Sequence, residues 1–271
     1  MPRPRVYRTQ AIVLREQDYG EADRILTLLS PGGKFSVLAR GIRRTTSRKA
    51  GHLGLFHLAD IMLAQGRNLD IVTQADALDV YEGLWHDLLR FTYACYAAEL
   101  VDRFVPEKEE NAQLFVLLAN ALRWFAELDD LRLWARHFEL ILLRLLGYMP
   151  DFFECVVCKE AIQPEANRFD VAHGGLVCPS CVSTVASSKA VTLSAQKVLR
   201  YLATHDADAV AQLRLQEATH QEVEDLIHSF LQYTLERELK STALLRRLRS
   251  ELAMHESTHA NSHADAATSL E

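Results

Sequence analysis

Apolar and polar positions alternate in short runs between residues 6 and 79, a period-two pattern that predicts strands. Val6–Arg15 is extended and rich in β-forming residues, and Arg24–Leu29 stops at the turn signal Ser30-Pro31-Gly32-Gly33. Lys34–Arg40 sets Phe35, Val37 and Ala39 on one face against Lys34, Ser36 and Arg40 on the other, with Leu38 out of pattern. A loop of basic, Ser, Thr and Gly residues fills Gly41–Gly54, and Leu55–Ala64 and Leu69–Ala75 flank the hairpin connection Gln65-Gly66-Arg67-Asn68. Five short strands in one small segment suit a small barrel. An OB-fold is the commonest choice, and an SH3-like barrel would show much the same spacing.

From about Tyr81 the apolar period becomes 3.6. Leu84–Phe104 reads as one helix ended by Pro106. A second stripe runs from Leu114 to Phe125, and a third from Trp134 to Leu145, closed by Gly147 and Pro150. Trp85, Trp124 and Trp134 are expected in the core, as is Cys95. Helix returns at Leu193–Ala203 and again at Gln221–Arg249, where Val223, Leu226, Ile227, Phe230 and Thr234 face inward. The cations Lys240, Arg246, Arg247 and Arg249 suit the negative end of that helix. A second nucleic-acid surface is the alternative role for them. Residues 253–271 are polar and aperiodic, which predicts disorder, and His255, His259 and His263 there lack the order a metal site needs.

The fold class is therefore α+β. A five-stranded barrel (residues 1–79) precedes an all-helical domain (80–150 and 183–252), which is interrupted by a cysteine-rich insertion (151–182) and followed by the tail. The 271-residue length and the 49% apolar composition permit about two domains of ordinary globular type. No uninterrupted apolar run is long enough to cross a membrane. The apolar block behind the basic N-terminus is too short for a secretory signal, so a cytoplasmic protein is expected.

Charge divides the chain. The net charge is −6, yet residues 1–80 carry 12 Lys/Arg against 8 Asp/Glu. No acid occurs between Arg24 and Ala59, where an even spread would place about five. A basic module on an acidic body points to a polyanion partner held at one end. Arg24, Lys34, Arg40, Arg43, Arg44, Arg48 and Lys49 are the candidate phosphate contacts. Tyr7 and Tyr19 are candidate stacking residues, whereas Phe35 and Phe56 are expected to fill the barrel.

The cysteine spacing carries the clearest chemistry. Cys155-Val156-Val157-Cys158 is followed after 19 residues by Cys178-Pro179-Ser180-Cys181. Two CxxC turns aim four thiolates at one centre, a closed tetrahedral set suited to structural Zn²⁺, with an iron–sulfur cluster as the other Cys₄ option. No phosphate-loop motif or convincing nucleophile–base pair is seen, so no enzymatic turnover is expected. Asp18, Glu21 and Asp23 read as a solvated turn.

These motifs, in their order, resemble the RecO family of bacterial recombination mediators. Residues 7–29 are similar to its opening strands. Gly33-Lys34 followed by Ala39-Arg40-Gly41-Ile42-Arg43-Arg44 resembles its basic signature. Gly51-His52-Leu53-Gly54-Leu55-Phe56 resembles its G-x-L-Q-P-F segment, with Gly54 and Leu55 in place of Gln and Pro. Phe138–Leu140, Leu145–Pro150, the cysteine quartet and Leu239-Lys240-Ser241 follow in family order. The resemblance implies an N-terminal OB-fold, a helical bundle and a zinc-binding insertion. It implies binding of single- and double-stranded DNA, annealing of complementary strands without ATP, and help in loading RecA onto DNA coated by single-strand-binding protein. RecR and the C-terminal tail of single-strand-binding protein are the implied protein partners. The reading set against it is a zinc-ribbon nucleic-acid binder of transcription or chromosome maintenance without annealing activity.

Overall fold

A computed structural model describes residues 6–107, 109–235, 241–242, 244–245 and 247–252. The expected tail and its histidines, Arg3, Arg5, Lys240 and Arg246 lie outside them.

The period-two segments form β1 (Val6–Tyr19), β2 (Asp23–Ser30), β3 (Gly33–Ala39), β4 (Leu58–Ala64) and β5 (Asp70–Asp79). They close a barrel in the order β1-β2-β3-β5-β4, with β4 returning to β1. Neighbours are antiparallel except β3 and β5, which meet in parallel at Val37–Asp70 and Leu38–Ile71. This is the small five-stranded barrel that the OB-type reading expects. Fourteen residues of β1 serve two partners. Val6–Ile12 pairs with β4 and Ile12–Tyr19 with β2, and a register shift between Val13 and Arg15 provides the bend. Ala11, Val13, Leu26, Leu28, Val37, Ile61, Leu63 and Val72 fill the interior.

The helical body holds α1 (Leu88–Phe104), α2 (Ala112–Glu127), α3 (Leu131–Leu145), α4 (Leu193–Thr204), the short α5 (Ala207–Val210) and α6 (Glu217–Leu235). Its first helix differs from the expected Leu84–Phe104. Glu82–Trp85 is a 3₁₀ turn, and Asp87 restarts the chain as α1 by accepting the amides of Leu89 and Arg90. Trp85 therefore lies ahead of the helix and is 46% exposed, not buried. Trp134 is buried and stacks on the half-buried Trp124 at 5.0 Å. Gly147, at φ +79°, ends α3 as expected. The long final helix is described over Glu217–Leu235 and as helical residues again at 241–242, 244–245 and 247–252.

The insertion forms β6 (Arg168–Asp170) and β7 (Gly175–Val177), and β8 (Lys189–Ala190), past the expected end at residue 182, completes the sheet in the order β7-β6-β8. Phe152, Phe169 and Phe230 join it to α6, with centroids 6.3 and 6.1 Å apart, and Arg200 of α4 donates to the carbonyls of Phe152 and Ile162.

The barrel packs on the body through the outer faces of its strands. Phe56, expected inside the barrel, instead enters the core of the helical body beside Phe91 at 5.5 Å. It does so at φ +64°, a conformation whose cost of about 1–3 kcal/mol is offset by complete burial of the ring. The Gly33 turn is pressed so closely on residue 109 that a Cβ there would lie 2.5 Å from the Glu109 carbonyl oxygen.

Candidate nucleic-acid interface and metal centre

The basic loop between β3 and β4 is held at both ends by its own apolar and polar groups. Ile42 and Leu53 are buried in the barrel core. The Gly41 amide donates to Asp23 Oδ1 at 2.7 Å and the Arg43 amide to the Ala22 carbonyl at 3.0 Å, fixing the start against the β1–β2 turn. Lys49 Nζ donates to the Val72 carbonyl at 3.0 Å, and His52 Nδ1 accepts the Ala77 amide at 3.1 Å, fixing the end along β5. Arg40, Arg44 and Arg48 are left in solvent, and none of them has a carboxylate partner among the described residues.

The other predicted contacts are committed elsewhere. Lys34 is buried and its ammonium is bound by the backbone carbonyl and carboxylate of Asp102 on α1, the latter at 3.0 Å. Alternation did place Lys34 on the outer face of β3. The helical body covers that face, so the residue joins the two parts and is not presented to a phosphate. Arg24 is half-buried between Glu16 at 2.6 Å and Asp18 at 3.0 Å. Arg43 is exposed and meets Asp18 at 3.4 Å, a pair that water weakens. Lys49 is turned inward; burial lowers its pKa, and Asp23 opposes that shift. Tyr7 packs against the barrel core, and its hydroxyl donates to Asp70 Oδ2 at 2.5 Å, which leaves the ring a structural part. Tyr19 remains 55% exposed at the end of β1. Arg67, in the β4–β5 hairpin, is exposed without a carboxylate partner among the described residues. The hairpin signal located that turn, but Arg67 lies outside the acid-free stretch on which the charge reading rested.

The four cysteines of the insertion come together as their spacing demands. Their sulfurs all lie within 4.8 Å of one another, with Cys158 and Cys178 at 3.8 Å. The first knuckle turns through Lys159 at φ +63°, whose amide bonds the Cys155 carbonyl at 2.9 Å. The second follows Pro179 into a 3₁₀ turn over Pro179–Thr184. Burial would raise the Cys155 thiol, but amides of Cys158, Cys178 and Val157 aimed at its sulfur bring it down to about 6. Hydrogen bonding with Cys178 pushes Cys181 up to about 12. Four sulfurs this close cannot all ionise without a cation among them, and the set can hold one metal ion. It is the one such cluster among the described residues. His173 lies outside it, half-exposed beside Asp170.

The helical body carries a second charged constellation that sequence reading missed. Arg136 and Glu139 on α3 are fully buried and joined by two bonds, one of 2.6 Å from Nε. Tyr96 of α1 donates to Glu139. Glu224 of α6 takes Arg249 at 2.6 Å, Arg132 at 3.2 Å and Arg136 at 3.4 Å. Arg249, expected to complement a helix end or else to offer a second nucleic-acid surface, is instead the clasp between the last helical segment and α6.

A closed five-stranded barrel with an arginine loop, seated on a helical body that bears a four-cysteine knuckle, defines a two-part α+β protein. The chain matches the family described as Recombination protein O N terminal over residues 4–81, and Recombination protein O C terminal over residues 85–243. It is 44% identical over 243 residues to the DNA repair protein RecO of Roseiflexus sp. (strain RS-1), covering 90% of this chain and 86% of that one. It is 37% identical over 244 residues to the DNA repair protein RecO of Pelotomaculum thermopropionicum, covering 90% and 94%. The DNA repair protein RecO of Dehalococcoides mccartyi (strain ATCC BAA-2266) is 33% identical over 242 residues, covering 89% and 95%. The chain belongs to the Recombination protein O family.

Proposed function

We propose that this protein is a recombination mediator of DNA repair that binds single- and double-stranded DNA through the barrel and anneals complementary strands without ATP. The observation that carries the reading is the loop on which Arg40, Arg44 and Arg48 face water without a carboxylate partner among the described residues. Cations so placed are poised for phosphates, and Arg43 can exchange its weak Asp18 pair for one. Phosphate contacts carry no sequence information, so bases stay available and complementarity selects the product. Two strands that repel in solution are screened while held together. The protein acts by binding, with no turnover. Its family membership supports further roles: with RecR it helps load RecA on DNA coated by single-strand-binding protein, whose C-terminal tail it engages. It works in the bacterial cytoplasm, at the nucleoid during repair. No helix among the described residues is long and apolar enough to cross a membrane.

The metal in the cysteine centre is read as zinc. Sulfurs about 2.3 Å from a tetrahedral zinc lie about 3.8 Å apart, which matches the Cys158–Cys178 spacing. Cys155, Cys158, Cys178 and Cys181 would hold it, and a closed sulfur shell supplies stability, not catalysis. Because Cys155 belongs to the same apolar core as α3 and α6, the ion would stabilise the body as a whole.

The test is duplex formation from two complementary oligonucleotides with the purified protein, without nucleotide, across a salt series. Acceleration that fades with rising salt supports the reading. Binding without acceleration favours a plain nucleic-acid binder instead.

A further inference from the structure

Opposite in character to the arginine loop is the junction where the barrel ends and α1 begins. Val80, Trp85 and Leu88 are 37%, 46% and 63% exposed. Trp85 Nε1 donates to the Val80 carbonyl at 3.1 Å, and its ring lies 5.3 Å from Phe91, so this tryptophan is fixed in place with one side open. Leu88, three residues further on, lines with Leu248 and Leu252 a cleft of about 370 Å³ between the first turn of α1 and the last helical residues described. Soluble proteins seldom leave several large apolar side chains together in water without a use for them.

The charges around the patch select its occupant. Glu82 and Asp129 stand largely in solvent, and Asp87 and Glu251 are half-exposed. Among the described residues the nearby cations stand beside these same acids. Arg90 donates to the carbonyls of Phe125 and Leu128 and lies 3.6 Å from Asp129, and Arg247 lies 3.5 Å from Glu251. His86 lies 3.7 Å from Glu82 and adds charge only when protonated. Four carboxylates against the two charges of Arg90 and Arg247 leave the border of the apolar centre net negative, which disfavours nucleic acid. A second copy docked about a two-fold axis would set the same acids against themselves. A protein segment with large apolar side chains flanked by lysine or arginine meets both the centre and the rim.

We propose that the face formed by Val80, Trp85, Leu88, Leu248 and Leu252 is a docking site for a basic amphipathic segment of a partner protein. None of these five residues belongs to the loop that carries Arg40, Arg44 and Arg48, although Trp85 meets the ring of His57, three residues past Gly54, at 6.2 Å. Apolar anchors supply the affinity, and the acidic rim chooses a basic over an acidic segment.

The probe is a labelled 16-residue helical peptide with leucines at i, i+3, i+4 and i+7 flanked by lysines. Its twin has glutamate at each lysine. Binding to the full chain is followed by fluorescence anisotropy. The lysine peptide should bind at least about tenfold more tightly than the glutamate twin. The charge-neutral double variant Leu88→Gln/Leu252→Gln should lose at least about tenfold of that affinity, with wild-type melting and wild-type oligonucleotide affinity. Leu88→Gln alone, at a highly exposed position, should move in the same direction if the double variant melts early. Equal binding of the two peptides, or wild-type peptide affinity in both variants, overturns the proposal. So does self-association in sedimentation that the double variant abolishes, since a second copy would then own the surface. Unaltered oligonucleotide binding in the variants keeps this outcome independent of the annealing reading.

Discussion

The barrel loop and the helical body use arginine in opposite ways. On the loop, Arg40, Arg44 and Arg48 face water with no acid beside them among the described residues. In the body, Arg136 and Arg249 are drawn in to Glu139 and Glu224, and Arg132 joins them from the surface. The residue type is the same, and the solvent decides its job. An exposed cation costs little to keep unpaired and remains available to a ligand. A buried one is stable only with its carboxylate, and so becomes part of the architecture. Charge density along the sequence marks the first kind. It is silent on the second, because Arg136 meets Glu224 across 88 positions of chain.

The largest effect that would sharpen this contrast lies in the body, at the cysteine centre. Cys155→Ser or Cys178→Ser, or metal removal by a chelator, should lower Tm by more than about 10 °C. Elemental analysis beside calorimetry checks it, and wild-type melting in a metal-free sample would count against a structural ion. Next comes the ion network. Arg136→Met leaves Glu139 and Glu224 buried without that partner and should cost about 3–5 kcal/mol by chemical denaturation. Arg44→Met on the loop should stay within about 0.5 kcal/mol. Equal costs would erase the distinction between the two regions.

A third prediction separates buried titrating groups by pH. Burial against Trp124 and Trp134 lowers His137 from its ordinary 6.5 to about 4. As pH falls below about 6.5 the unfolded chain takes a proton that the folded state refuses, so stability present above that value drains away down to about 4. The loss should reach about 3 kcal/mol, and His137→Phe should flatten the profile across that window. For Glu224 burial pushes upward, but the Arg249 hydrogen bond and the Arg136 charge outweigh it and bring it to about 2. Its contribution is present above the ordinary 4.5 and is lost between there and about 2, below the histidine window.

Much of the fold was legible because it rests on local rules. Alternation and the Ser30–Gly33 turn mark β2 and β3, and the apolar stripes mark α2 and α3. The cysteine spacing located the centre because two CxxC turns need little tertiary context. Two of the misreadings share one cause, a neighbour distant in sequence, and the third is local. Lys34 faces away from the barrel interior, as its strand position requires, but α1 supplies Asp102 there. Phe56 follows the loop yet enters the other core. Trp85 falls just before the Asp87 cap, so a helical stripe that includes it extends the helix one turn too far.

The central claim is that the loop arginines hold phosphates while the buried ones hold the protein. Its most direct test is the salt dependence of single-strand oligonucleotide binding in the wild type and in Arg40→Ala/Arg44→Ala/Arg48→Ala. The account predicts unchanged melting and a slope of log affinity against log salt that is shallower by about two, at roughly 0.7 for each phosphate the variant no longer neutralises. An unchanged slope in a folded triple variant would contradict it.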